Sequence, residues 1–365
     1  MTQGLKVRDT AGKVLFDSWN DENAFFHAEF SVPLHTTQTT VRSFPELTGK
    51  RVYMSAVVRA NNAAHNFTSL QYPTLSYVNN VPTVTINANN LANNPPLGYL
   101  HVLILTDGTA YTKPVSGTHG AVFPNKKGRF TVTDALDPYV FIGKYTIPGA
   151  NSGYSTVDVP CKDTPLVFYE LDGNVGIYEG IYRVSSDTHR IYFKTSSTVT
   201  IRVFGRMSQN FPLGQVGATN GFRMWNRSRT AVLFDSNLKM LALSGYTANN
   251  VLNVTRGEKT MAVGFPTAGK SVCAWTMNKR IFTEEVKEST QPGNKEVWRI
   301  TEQVWSFVAR SSGNSILWTE RAIYTHTWTA IYDGTGESSW SYTSYSPPTL
   351  NINCNFLFIE NSRYS

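Results

Sequence analysis

Charge is scarce in this chain. Asp, Glu, Lys and Arg make up 16% of its 365 residues, against about 25% in an average soluble protein. Polarity comes instead from Asn, Thr and Ser, a balance that suits an all-β protein with many turns, or one that buries much of its surface in an assembly. Cysteine is equally sparse: Cys161, Cys273 and Cys354 are odd in number and widely spaced, and no CxxC occurs. A disulfide framework and a structural zinc site are therefore not expected, and buried thiols are the plain reading. No apolar run has transmembrane length, and Met1-Thr2-Gln3-Gly4 enters a strand pattern at once, so neither a signal peptide nor membrane insertion is expected. Coiled-coil heptads and collagen-like triplets are also missing, which argues against a long shaft. The formal net charge of +7 could attract polyanions, but the basic residues are scattered. The densest runs, Lys126-Lys127-Gly128-Arg129 and Arg223 to Arg229, do not form a nucleic-acid arm, and no nucleic-acid partner is expected.

What is present is a hairpin signature written twice. Gly4-Leu5-Lys6-Val7-Arg8-Asp9 leads through a turn to Val14-Leu15-Phe16-Asp17-Ser18. Gly221-Phe222-Arg223-Met224-Trp225-Asn226 leads to Val232-Leu233-Phe234-Asp235-Ser236. In the first copy Gly12 supplies the positive φ that a short loop needs. Asp17 and Asp235 end the motif and read as turn or cap residues ahead of catalytic ones. A second similarity links Pro82–Leu91 with Pro348–Leu357, identical at six of ten positions.

Short runs rich in Val, Ile, Tyr, Phe and Thr recur between Gly, Pro, Asn and Asp. They cover 52–58, 83–86, 99–105, 139–147, 166–170, 177–184, 191–194 and 199–204, the pattern of a sandwich or barrel. Lys295 to Arg310 fits helical spacing, but Trp298, Ile300, Val304 and Val308 also alternate. With the turn-like Ser311–Ser315 and the strand-like Ile316–Ile331, a long β-hairpin is the preferred reading. Phe211-Pro212-Leu213-Gly214 interrupts the pattern, and seven of eight tryptophans follow residue 220. The expected fold is all-β, with two or three β-sandwich-like domains and a duplicated hairpin motif: a unit at 1–208, divisible into 1–110 and 111–208, and a second at 209–365.

Gly264-Phe265-Pro266-Thr267-Ala268-Gly269-Lys270-Ser271 matches the GxxxxGK[ST] phosphate-loop pattern. That chemistry needs a helix whose N-terminus follows the loop, whereas Val272–Met277 reads as a strand. A Gly/Pro-rich hairpin loop explains the segment without a nucleotide. The seven histidines show no HxxxH spacing, and GxSxG is absent, so no catalytic residue, metal ligand or cofactor is assigned. An aromatic stretch at Trp318, Trp328, Trp340, Tyr342 and Tyr345 either fills a core or presents a face to a glycan or partner subunit.

The opening block, Gly4-Leu5-Lys6-Val7 to Gly12-Lys13-Val14-Leu15-Phe16-Asp17-Ser18, resembles the start of minor tail proteins of tailed bacteriophages. Thr198 to Gly205 is similar to the way such units finish. The resemblance implies a structural virion protein of the tail tip, baseplate or fibre base, assembled in the host cytoplasm. Its partners would be other tail proteins and further copies of itself in a homo-oligomer, with a host cell-surface receptor or glycan as a possible contact. The alternatives are a receptor- or glycan-binding module of the virion and a capsid decoration protein. No catalytic residue is implied.

Overall fold

The computed structural model describes residues 5–8, 12, 14–18, 22–33, 38–60, 73–87, 98–107, 120–125, 128–133, 136–150, 155–171, 177–195, 197–214, 222–226, 228–254, 258–273, 279–291, 295–333 and 350–365. These residues are almost entirely strand. In order they are β1 (Lys6–Arg8), β2 (Val14–Asp17), β3 (Glu22–Pro33), β4 (Thr40–Ser43), β5 (Val52–Ala60), β6 (Thr74–Val78), β7 (Val81–Ile86), β8 (Gly98–Asp107) and β9 (Gly120–Asn125). Next come β10 (Gly128–Thr133), β11 (Asp137–Ile147), β12 (Ser155–Val159), β13 (Leu166–Glu170), β14 (Ile177–Ser185), β15 (Thr188–Lys194) and β16 (Val199–Arg206). The one α-helix among the described residues, α1 (Met207–Asn210), follows β16. The chain continues as β17 (Arg223–Trp225), β18 (Val232–Asp235), β19 (Ala242–Leu243), β20 (Gly245–Val254), β21 (Glu258–Ala262) and β22 (Lys270–Cys273). It ends with β23 (Lys279–Gln291), β24 (Lys295–Ser312), β25 (Ser315–Asp333), β26 (Leu350–Glu360) and a 3-10 turn at Asn361–Tyr364. The all-β reading holds, and each run expected from the sequence lies within a strand.

Thirteen strands form one bent sheet in the order β12-β15-β14-β5-β8-β3-β11-β16-β13-β22-β26-β20, with β19 attached to β3. The bend is at β11. Asp137 and Pro138 pair with Phe26 and Phe25 of β3, and Tyr139 to Ile147 pair with β16. The two limbs enclose a core to which the first contributes Tyr53, Leu103 and Leu105, and the second Leu166, Phe168, Phe204 and Leu357. A contact of 3.4 Å between Ser55 Oγ and Cys273 Sγ crosses the same interface. Central strands are buried on both faces, so β8 and β13 read as continuous apolar runs without alternation. β22, β26 and β20 come from beyond residue 208 and extend the sheet through the pairing of β13 with β22. α1 marks the point where the chain leaves β16.

A three-stranded sheet, β4-β7-β6, packs Phe44, Leu75, Val84 and Ile86 onto the larger core. Its β6–β7 hairpin turns at Asn79 and Asn80, at φ 50° and 64°, the left-handed pair that a two-residue hairpin requires. The segment 295–331 is a β-hairpin and not a helix. β24 and β25 pair from Lys295–Asp333 to Ser312–Ser315, which at about 3.3 Å per residue spans roughly 60 Å. β21 and β23 flank it. Ala309 and Ile316, near its turn, are buried in the large core. The two segments similar in sequence, 82–91 and 348–357, take different places: β7 is the middle of the small sheet, and β26 lies inside the large one.

The end of the chain is clamped onto the second limb. Arg202 is fully buried. It donates to Glu170 Oε1 at 2.8 Å, Ser271 Oγ at 3.1 Å and the Tyr364 carbonyl at 3.2 Å. The Tyr364 hydroxyl accepts the Ala242 N–H at 2.7 Å and donates to the Met240 carbonyl at 2.7 Å, and its ring lies 4.8 Å from that of Phe204. Removing one member of a buried charged pair leaves the other uncompensated. Arg202→Met is expected to cost about 3 kcal/mol, and Tyr364→Phe about 1–2 kcal/mol through the orphaned Ala242 N–H. Urea unfolding midpoints, read at constant m-value, check both.

Candidate functional site

The two copies of the hairpin signature meet in space. β1 pairs with β2, and β17 with β18, in equivalent registers: Lys6–Asp17 and Val7–Phe16 match Arg223–Asp235 and Met224–Phe234. Each copy has a bulge one step later, between Val7 and Arg8 or between Met224 and Trp225. The closing hydrogen bonds repeat as well. Ser18 Oγ accepts the Leu5 N–H at 2.8 Å, and the Ser18 N–H donates to the Leu5 carbonyl at 2.8 Å. Ser236 and Phe222 make the same two bonds at 2.9 Å. Asp17 pairs with Lys6 at 2.8 Å, and Asp235 with Arg223 at 2.7 Å. Both carboxylates are buried, so the two aspartates act as structural caps.

The copies share one core. Phe16 and Phe234 contact edge to face, 5.0 Å between centroids, in a cluster with Val132, Val140, Val232 and Met240. Their turns differ. Gly12 holds φ 79° in the first, whereas Arg229 holds φ 56° in the second, a conformation strained for a residue with a Cβ. Asn226 holds that turn: its Oδ1 accepts the Thr230 N–H at 2.8 Å and the Ala231 N–H at 3.2 Å. In and beside the second copy Leu213, Phe222 and Trp225 are exposed by 56%, 46% and 38%.

The phosphate-loop pattern does not build a phosphate cradle. β22 begins at Lys270, where a helix would be required. Thr267 instead holds the turn of the β24–β25 hairpin. Its hydroxyl lies 3.0 Å from the carbonyls of Gly313 and Ser315 and accepts the Ser312 N–H at 3.2 Å. Lys270 pairs with Glu360, and Ser271 donates to Asn361 Oδ1 at 2.5 Å. The residues that mimic nucleotide chemistry fasten the long hairpin and the C-terminus to the sheet.

Of the aromatic stretch, Trp340, Tyr342 and Tyr345 lie outside the described residues, as do the side chains of Trp318 and Trp328. Register places Trp318 opposite Ala309 and Trp328 opposite Ile300. Cys161 and Cys273 are buried free thiols, and burial pushes Cys273 up to about 11. Among the described residues no group of His, Cys, Asp and Glu could hold a metal ion.

Sequence reasoning missed a polar cluster on the first limb. Glu29 Oε1 accepts from His101 Nδ1 at 2.7 Å and from the Thr164 hydroxyl at 2.6 Å. Burial raises the Glu29 carboxyl, but these bonds outweigh it and hold the group below the ordinary carboxylate range. His189 is buried, and its Nδ1 donates to the Cys161 carbonyl at 2.7 Å. Burial, reinforced by the charges of Arg59, Arg183 and His101, lowers it to about 4. No spacing rule links these residues, because the strands that carry them are distant in sequence.

Two predictions follow from this geometry. Phe16→Ala and Phe234→Ala should each cost about 3–5 kcal/mol. In the double variant the losses should fall short of additivity by about 1 kcal/mol, because the ring contact is lost only once. A thermodynamic double-mutant cycle measures that coupling. For His189, the unfolded chain protonates near pH 6.5 and the folded chain only near 4, so the unfolded state gains protons first as pH falls. Stability should therefore drop by roughly 3 kcal/mol between pH 6.5 and 4 on this account. His189→Gln should flatten that fall, as read from unfolding curves across the window.

The chain matches no family model, no curated protein and no solved structure.

Proposed function

We propose that this chain is a structural component of a bacteriophage tail, at the tip, baseplate or fibre base, built to be packed against other tail proteins and against further copies of itself. The observation that carries the reading is the duplicated hairpin. Its signature is the one that resembles phage minor tail proteins, and both copies use it for the same hydrogen bonds, the same caps and the same bulge. A motif spent on hairpin closure supports an architectural role. The exposed side chains of Leu213, Phe222 and Trp225 are available for contacts in an assembly. Low charge and a strand-built body suit a particle component that exchanges solvent for neighbours.

A second reading, a glycan- or receptor-binding module of the same virion, draws on the register of the long hairpin. Trp298 and Ile300 are two residues apart in β24, and Ile300 faces Trp328 of β25. These three positions therefore share one face, on which Trp298 is half-buried beside the buried Ile300, and an aromatic ring can stack on a sugar.

Gold-labelled antibody against the full chain, applied to purified particles and viewed by electron microscopy, tests the proposal. Label at the distal tail is expected. Label on the head would replace the tail reading with capsid decoration. Absence of label, with the chain also missing from particle mass spectrometry, would overturn the virion role.

A further inference from the structure

The polar cluster of the first limb continues into a line of cations that lacks counter-ions among the described residues. Directly opposed residues of paired strands, and residues two apart along a strand, share a face. Tyr99 opposes Arg59, and His101 opposes Val57, two residues before Arg59. Arg59 bridges to Ile181 of β14. Arg183, two residues further along β14, opposes His189 of β15. His101 opposes Ser31, two residues beyond Glu29. His189, Arg183, Arg59, Tyr99, His101 and Glu29 thus line one face across β15, β14, β5, β8 and β3.

Among the described residues the charges on that face do not balance. Glu29 is the acid on this line among the described side chains, and its Oε1 is occupied by His101 and Thr164. Arg183 spends two of its donors on the turn beside it, to the Ser185 and Ser186 carbonyls at 3.1 Å. Those bonds fix its position without neutralising its charge. Arg59 is half-buried, and its guanidinium makes no hydrogen bond or ion pair to a described residue. Burial, and then the Arg183 charge, pull it below the ordinary arginine range, with Glu29 opposing weakly. Leaving a half-buried guanidinium beside a second one costs stability. Tyr99, next to it, keeps 39% of its surface exposed.

We propose that this face is a binding site for an oxyanion, a phosphate, sulfate or carboxylate group held between Arg59 and Arg183 with Tyr99 alongside. Guanidinium groups supply paired donors that match such oxygens, and an anion there offsets the repulsion between the arginines. The neutral His189 faces Arg59, Arg183, His101 and the Cys161 carbonyl. A bound anion adds the one charge that favours its protonation. The anion is either free or carried on an acidic sugar whose ring meets Tyr99. The site stands on this geometry alone and does not depend on a place in a tail.

The test is calorimetric titration of the full chain at pH 7 and low salt, with inorganic phosphate and, separately, with glucuronate. Saturable binding is expected, weakened about tenfold or more by Arg59→Gln and by Arg183→Gln. Lys144→Gln, an equal loss of charge on the exposed part of β11, should leave it unchanged. Arg59→Gln should not lower the thermal midpoint, because the guanidinium has no described partner to lose. Phosphate should also raise the pH at which the His189 ring titrates by NMR, a readout that a purely structural arginine would not move. Comparable affinities for the two probes identify a free-oxyanion site. Glucuronate binding about tenfold tighter, with the difference lost in Tyr99→Ala, identifies an acidic sugar. Absence of saturable binding of either probe up to about 50 mM, or equal weakening by Lys144→Gln and Arg59→Gln, which is the signature of diffuse charge attraction, overturns the proposal. Arg183 is an exposed residue near the end of β14, so its variant keeps the test decisive if Arg59→Gln does not fold.

Discussion

The buried guanidinium of Arg202 holds together segments that the sequence keeps far apart. It sits in β16 and reaches Glu170 on β13, Ser271 on β22 and the carbonyl of Tyr364 at the end of the chain. A charge this deep survives only where partners surround it, so β22 and the C-terminal turn must be in place before the second limb is complete. The sheet therefore closes late. Within the second limb β11, β16 and β13 come from residues 137 to 206, and β22, β26 and β20 from beyond residue 240. Loop closure over such separations is slow. Aromatic packing of Tyr364 on Phe204 and Phe141 then excludes water from the network.

The segment 264–271 shows how chemistry-bearing residue types serve architecture. Lysine, serine and threonine beside flexible glycines would suit phosphate if their donors converged at a helix N-terminus. In this fold the backbone continues as a strand, and the same donors find a carboxylate, an amide and two carbonyls of the protein itself. The local residues are compatible with either outcome. What separates them is the element that follows Ser271.

The hairpin pair and the cationic face mark two ways of using stability. In the hairpins the described polar groups that close the motif are matched. Asp17 and Asp235 have cations, the two serines have backbone partners, and Asn226 holds the turn that a glycine holds in the other copy. The first limb is different. Arg59 and Arg183 lie near each other, and Glu29, the acid on their face, is already engaged by His101 and Thr164. Departures of this kind from local balance cluster at functional or strained sites.

Much of the local structure was legible in the residues. Alternation and β-branched runs placed the strands, Gly12 marked the first turn, and the repeated Val-Leu-Phe-Asp-Ser identified the two hairpins as one motif. The long hairpin at 295–333 was legible because its alternation and its Ser-Gly-Asn turn agree. The Asn79-Asn80 turn carried the same kind of signal and could have been found by it. Local pattern does not encode which strand lies beside which. β11 changes partner after Pro138, β13 accepts β22 from a hundred residues away, and the two hairpins meet through Phe16 and Phe234. These pairings are decided by burial of whole faces, a property of the assembled sheet. The cluster of Glu29, Arg59, His101, Arg183 and His189 was hidden for the same reason. Each is an ordinary polar residue on its own strand, and only the strand order β15-β14-β5-β8-β3 brings their charges within reach of one another.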